Sequence, residues 1–333
     1  MAITVKCQKL LDAEILQRSS QVVSVVGNRA YIFGGELRPR EPRDNGVHAV
    51  PLDDATASIN TQPPASLSPS ARVGTASATL NDKIYLFSGR GGVAMAPIEE
   101  QGAVWEYDPK THTWFLIQPS TTKSAAVPAA RSYHCMASDG KDTLYLHAGC
   151  PESGRLSDLW AFNVPRKEWT ELAPAFDPPR GGTSIAFADG KLYRMNGFDG
   201  KTEQGGNLDI YTPETNSWDT HIYVPDGTHG PAPRSVGVLL PVSISGRPYL
   251  VTLFGERDPS SLGHQGAGKM LSDVWSFDIE NKKWEHVNLH GGQVPVARGW
   301  FDADVAAANA IIVHGGLGES NNRLGDIWRL EFA

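Results

Sequence analysis

Apolar and polar residues alternate along this chain in short runs with the two-residue period of a half-buried strand. Val104-Trp105-Glu106-Tyr107-Asp108, Leu159-Trp160-Ala161-Phe162-Asn163, Leu208-Asp209-Ile210-Tyr211 and Val274-Trp275-Ser276-Phe277-Asp278 are examples. The runs recur at fixed places. Arg18, Arg72, Arg131, Arg180, Arg234 and Arg298 each open an apolar or small-residue run, and Gly35, Gly89, Gly149, Gly197, Gly255 and Gly316 each close the next. By subtraction the Arg-to-Gly offsets are 17, 17, 18, 17, 21 and 18. A Trp then follows seven residues after the last aromatic, as Trp114, Trp169, Trp218 and Trp284. The pattern predicts six units of four strands. The first is degraded, with Val47-His48-Ala49-Val50-Pro51-Leu52 as its third strand and no Trp in its fourth. The last stops at Trp328-Arg329-Leu330-Glu331-Phe332, after its third strand. The run Ile3-Thr4-Val5-Lys6-Cys7 is expected to supply the missing strand and cover an open edge. Residues 61–70, 119–130 and 221–233, rich in Pro, Ser, Ala or Gly, read as loops.

These units resemble the kelch repeat of β-propellers. Paired glycines carry the resemblance, as in Phe33-Gly34-Gly35 and His314-Gly315-Gly316, followed by Tyr or Phe and then Trp, over essentially the whole chain. It implies an all-β, six-bladed kelch β-propeller, one domain over residues 1–333, its last blade closed by the N-terminal strand. A repeat array accounts for 333 residues in a single body. The net charge of -7 argues against a nucleic-acid or anionic-membrane surface. No apolar run approaches the roughly 20 residues of a membrane span, and the N-terminus lacks a signal-peptide hydrophobic region. Cys7, Cys135 and Cys150 are too few and scattered for a disulfide framework or a thiolate metal site. A cytoplasmic protein with no nucleic-acid or membrane partner is expected.

Antiparallel order puts the start of each Arg strand and the end of each Gly strand on one face. Directly after the Gly stand Glu36, Arg90, Cys150, Phe198, Glu256 and Leu317; two after the Arg stand Ser20, Gly74, Tyr133, Gly182, Val236 and Trp300. The second set is expected to ring a channel mouth. Tyr133 and Trp300 are its large aromatics, and such variation at equivalent positions is what a grafted site looks like. The loop after Gly255 stands out, with Glu256, Asp258 and His264 on one long stretch. Carboxylate and imidazole together suit a borderline divalent metal such as Fe(II). With Arg90 and Arg155 on the same face, the surface suits a small anionic ligand beside a metal. The plainer readings stand beside this: loop carboxylates are ordinarily solvated, and His264, between Gly263 and Gln265-Gly266, also reads as a residue bonding its own loop.

Within kelch proteins the chain resembles the plant specifier proteins (nitrile-specifier, epithiospecifier and thiocyanate-forming). Arg131-Ser132-Tyr133-His134, Asn196-Gly197-Phe198-Asp199-Gly200, Phe254-Gly255-Glu256, His264-Gln265-Gly266-Ala267-Gly268, Ala297-Arg298-Gly299-Trp300 and Asn321-Asn322-Arg323-Leu324-Gly325-Asp326 carry this. The resemblance implies non-haem Fe(II) directing the breakdown of a glucosinolate aglucone, as lyase or isomerase chemistry. Family ligands follow Glu-x-x-x-Asp-x-x-x-His. Glu256 and His264 match the ends and are the implied catalytic pair, but the middle place is Ser260. Asp258, two residues earlier, or water is left to fill it, so the implied metal set is Glu256, Asp258 and His264. Arg90, Tyr133 (Phe in the family), Arg155 and Trp300 are the implied substrate-binding residues, the arginines holding the sulfate. The alternative is a non-enzymatic kelch module whose rim recognises a peptide or partner protein.

Overall fold

Alternating runs become strands because each buries one face against the neighbouring repeat. A computed structural model describes residues 3–53, 58–120 and 126–333, the side chain of His264 excepted. The described chain is all-β, with two single-turn 3-10 segments, Glu14–Leu16 and Gly263–Gln265. The first repeat forms the sheet Ser19–Val26, Arg29–Arg38, Val47–Pro51 and Asn60–Gln62. The second, third and fourth repeats likewise form four-stranded sheets, beginning at Ala76–Leu80, Cys135–Ser138 and Ser184–Ala188. Two loop expectations needed trimming. Asn60–Gln62 is a strand where a loop was expected from Thr61, and the strand Ser217–Ile222 runs into the expected loop at His221. Residues 121–125 of a further expected loop lie outside the described residues.

The first strands of successive sheets lie against one another, and the last, Asp302–Ala307, lies against the first, Ser19–Val26. The array therefore closes on itself as in a propeller. Backbone hydrogen bonds draw the closure in detail. Ser20 N–H donates to Trp300 O (2.7 Å), Trp300 to Val236 (3.0 Å), Val236 to Gly182 (2.9 Å), Gly182 to Tyr133 (2.8 Å), Tyr133 to Gly74 (2.7 Å) and Gly74 back to Ser20 (2.9 Å). These are the residues two after each repeat Arg. All have positive φ, between 48° and 59°. Glycine accepts that conformation readily, whereas for Val236, Tyr133 and Trp300 it is strained and persists because the ring holds it.

Each repeat Arg is buried and donates through Nη1 to the carbonyl preceding the strand-ending Gly: Gly34, Ser88, Ala148, Asn196, Phe254 and Gly315 at 2.9–3.0 Å. A carboxylate completes the clamp in five repeats, supplied by Asp44, Glu100, Asp158, Asp273 and Asp326. In four of these the acid also accepts the indole N–H of a third-strand Trp, from Trp105, Trp160, Trp275 or Trp328. The fourth repeat departs. Opposite each other, where the third repeat pairs Leu146 with Trp160, it pairs Arg194 with Asp209, a buried ion pair at 3.2 Å. Burial and the nearby Arg194 pull Arg180 down to about 9.

Two seams join the last repeat to the first residues. Outside, Thr4–Asp12 pairs antiparallel with Asp326–Phe332 and bridges in parallel to Lys283–His290 at Thr4–Lys6. The strand is longer than the five residues expected. Inside, Asp302 accepts Val23 N–H (2.6 Å) and Asp304 accepts Val25 N–H (2.7 Å). Both acids line a channel of about 340 Å³. Removing residues 1–10 should expose the edges of two sheets and lower the melting temperature of the whole protein in one transition, checked by circular dichroism. Burial raises Asp302 to about 7 and Asp304 to about 6, above the ordinary carboxylate value. Their charged forms therefore cost stability, progressively as pH rises from about 4 through these values. The Asp302→Asn/Asp304→Asn double variant should melt like the wild type below pH 4 and at a higher temperature than the wild type at pH 8, with a gain of several kcal/mol at most, at roughly 1.4 kcal/mol per pKa unit. A gain independent of pH would remove the carboxylates as its source.

Candidate functional site

The six residues that follow the strand-ending glycines are held alike. Each bridges to the residue after the repeat Arg: Glu36 to Ser19, Arg90 to Val73, Cys150 to Ser132, Phe198 to Gly181, Glu256 to Ser235 and Leu317 to Gly299. All six line a cavity of about 360 Å³ at one mouth of the channel. Its floor includes Tyr133, Gly182, Val236 and Trp300 of the hydrogen-bonded ring, which also border the channel beneath. All six of the first positional set and four of the second thus meet at one place, while Ser20 and Gly74 line only the channel beneath. The volume lies at the small end of the range for small-molecule sites, about 300–1,000 Å³.

Glu256 is the most constrained of the site residues. Its side chain is buried, with Oε1 accepting Gly268 N–H (2.7 Å) and Oε2 accepting the Trp300 indole N–H (3.2 Å). The first bond closes the neck of the loop, where Glu256–Arg257 pairs with Lys269–Met270. It also requires glycine: a Cβ at residue 268 would lie 2.8 Å from Glu256 Oε1 and 2.7 Å from Asp258 O. Burial raises Glu256 above the usual carboxylate range, the two donors oppose the rise, and the charge of Glu203 adds to it. Trp300 meets Tyr133 edge to face, centroids 5.2 Å apart. Burial also raises the Tyr133 phenol, and the charge of Glu36 adds to the rise.

The guanidinium groups come from the second and third repeats. Arg90 donates from Nε to Ser132 Oγ and from Nη2 to Pro151 O, both 3.2 Å. Arg155 lies over the Phe198 ring, 5.1 Å from its centroid, and its Nε is buried with no hydrogen-bond partner. Between them is Cys150, whose thiol burial raises while both arginines pull it down.

The cavity therefore brings together Glu256, Arg90, Tyr133, Arg155 and Trp300. It does not include Asp258, whose exposed side chain pairs with Arg257 at 3.1 Å. Ser260 lines the cavity, but its Oγ accepts Leu262 N–H at 3.2 Å and so shapes the turn. His264 lies in the 3-10 turn Gly263–Gln265; its side chain is outside the described residues. Among the described residues no three His, Cys, Asp or Glu side chains are grouped for a metal.

Glu203 and Arg323 are among the charged residues of this cavity that were given no role from sequence. Glu203 bridges Phe198, and Arg323 bridges Leu317, each at the return of a short loop. Arg323 donates to Glu36 Oε1 (3.1 Å) and Ser19 Oγ (3.2 Å), joining the last repeat to the first. Glu203 Oε1 is buried and accepts no hydrogen bond. The usable signal was positional: both lie six or seven residues after their strand-ending glycines, Gly197 and Gly316. Replacing either Arg90 or Arg155 by Ala should weaken sulfate binding by about 1–3 kcal/mol, the range for hydrogen bonds to charged groups. Titration calorimetry with sulfate checks this, and unchanged affinity in both variants would take the arginines out of the anion site.

Comparison with known proteins agrees with this architecture. The family model described as the KLHDC2/KLHL20/DRC7 Kelch-repeats domain matches residues 20–255. N-(sulfonatooxy)prop-2-enimidothioate sulfolyase of Thlaspi arvense is 28% identical over 338 residues, spanning 93% of this chain and 91% of that protein. Adagio-like protein 3 of Oryza sativa subsp. japonica is 27% identical over 320 residues, spanning 88% of this chain but only 45% of that protein. The chain belongs to the kelch-repeat family, and it resembles the specifier type within it. No helix among the described residues is long and apolar enough to cross a membrane.

Proposed function

We propose that this kelch-repeat protein is a six-bladed propeller that acts as an Fe(II)-dependent lyase or isomerase on a small sulfated molecule bound at the channel mouth. The observation that carries the reading is the polarity of the cavity. Arg90 and Arg155 line it together with Glu256 and Glu203, and Tyr133, Trp300 and Phe198 add aromatic surface. The substrate class follows from the sulfolyase relative, whose name describes an N-sulfonatooxy imidothioate losing sulfate. In this chain the two guanidiniums would bind the sulfate and neutralise it as it departs with the electrons of its N–O bond. The aromatic wall would take the apolar part of the molecule and exclude water from it. Glu256 and His264 would hold Fe(II), and Glu256 fits that role because each of its oxygens accepts only one hydrogen bond. The metal, when bound, supplies a Lewis acid or redox partner for the substrate's sulfur or nitrogen.

Under anaerobic conditions Fe(II) should raise the melting temperature, since a ligand selective for the folded state stabilises it, by about 2.7 kcal/mol at a hundredfold excess over Kd. Glu256→Gln should abolish the shift. An N-sulfonatooxy imidothioate generated in situ should then give products that differ from its spontaneous decay only when protein and Fe(II) are both present. Product distributions unaffected by the protein would overturn the enzymatic reading and put the peptide- or partner-binding module first.

A further inference from the structure

We infer that Met95 is the adjustable wall that contacts the apolar part of the sulfated ligand and sets how large that part can be. The inference rests on the anion-binding reading above and assigns the other half of the ligand to one residue of the second repeat.

Position in the repeat leads to it first. Six residues after Gly89, Gly149 and Gly197 stand Met95, Arg155 and Glu203, and all three line the cavity. The returns of these short loops thus offer a cation, a carboxylate and one apolar side chain. The hairpin that carries Met95 is tight. Arg90–Gly91 pairs with Ala96–Pro97, and Met95 N–H donates to Gly92 O at 3.2 Å. Gly92, Val93, Ala94 and Ala96 are exposed, yet Met95 among them is only 5% exposed. It belongs to none of the apolar clusters described for the core. Its side chain is therefore buried at the mouth and not between repeats. Its φ is 50°, whereas neither Arg155 nor Glu203 has a positive φ. A residue with a Cβ adopts that region at a cost that glycine does not bear. Met95 keeps it because the turn aims the side chain into the cavity.

The chemistry of the lining favours a ligand contact there. Its other apolar residues are held more firmly: Phe198 is bridged to Gly181 and Glu203, and Leu317 to Gly299 and Arg323. Met95 stands on a hairpin turn, and an unbranched thioether with three rotatable bonds fills spaces of different shape. The hairpin begins at Arg90, so one short element supplies a guanidinium and an apolar contact to the same cavity. That combination suits a compact amphiphile, a sulfate ester whose apolar group lies close to its anion. Rotation of the thioether would admit larger groups until the space of about 360 Å³ is filled.

The test is titration calorimetry of the full chain with inorganic sulfate and with ethyl, butyl, hexyl and octyl sulfate. In the wild type, affinity should rise from sulfate through the shorter esters, by about fourfold for each methylene enclosed, and then stop rising. Met95→Ala should bind inorganic sulfate as the wild type does, bind ethyl sulfate at least about threefold more weakly, and carry the rise on to longer esters. Met95→Phe should end the rise at a shorter ester. Met95→Gly, which suits the positive φ, should repeat the alanine profile and keeps the test open if the alanine variant does not fold. If sulfate binds but the esters bind no more tightly, or if every variant keeps the wild-type profile, the inference falls and the anion site stands. A wild type that binds neither sulfate nor any ester would remove the anion reading and this inference together.

Discussion

A closed circuit of backbone hydrogen bonds, from Ser20 through Trp300, Val236, Gly182, Tyr133 and Gly74, is the constraint on which the rest of this structure depends. Each bond joins one repeat to the next, so a displaced repeat disturbs two bonds and, through them, its neighbours. The circuit demands positive φ at every member. Two members are glycines, for which this is cheap. The others retain a costly conformation because the neighbouring peptide groups would otherwise be left unpaired near the axis. The buried arginines serve the same end from behind. Each ties the start of the inner strand to the carbonyl at the end of the second strand, and so sets where the next residue projects.

Closure must also be achieved between the chain's two ends, and here the chemistry differs from the other junctions. The outer seam is ordinary strand pairing, Thr4–Asp12 with Asp326–Phe332. The inner seam relies on Asp302 and Asp304 accepting peptide N–H groups of the first repeat. Elsewhere hydroxyl groups make such links, as Ser24 does to Ser77 and Ser184 to Gly237. Arg323 with Glu36 adds an ion pair across the same junction at the mouth. The junction between the chain's two ends therefore carries buried carboxylates whose charged forms cost the fold stability as pH rises.

Much of this was legible in the sequence because repetition converts position into geometry. The Arg-to-Gly spacing indicates which residues face the mouth, and all six of the first set and four of the second line the cavity there. The outer strand was foreseen from Ile3 to Cys7 but extends to Asp12, since alternation weakens at Lys9, Leu10 and Leu11, where the register shifts. Strand ends at Thr61 and His221 were missed because polar residues there carry no apolar period, although their backbones pair. The site was half legible. Glu256, Arg90, Tyr133 and Trp300 follow from repeat position and Arg155 from the family resemblance, whereas Glu203 follows from neither. It belongs to a loop return, where spacing varies between six and seven residues and no apolar run marks the place. The fourth repeat's exchange of a Leu–Trp pair for Arg194 and Asp209 was equally hidden, since each residue alone reads as solvated.

The cavity's charge distribution is a consequence of the same frame. Six equivalent positions offer Glu36, Arg90, Cys150, Phe198, Glu256 and Leu317, and a mixed-sign set would ordinarily neutralise itself by pairing. Here only Glu36 does so, with Arg323. Arg90 is spent on a hydroxyl and a carbonyl, Arg155 on an aromatic face, and Glu256 on a peptide and an indole N–H. Neutral partners orient a charge without cancelling it, so the cavity keeps groups of both signs in its lining. Direct pairing would stabilise the fold more and leave nothing for a ligand. With Trp300 and Tyr133 on the floor, the cavity therefore presents Arg90 and Glu256, charges of both signs, to whatever enters it.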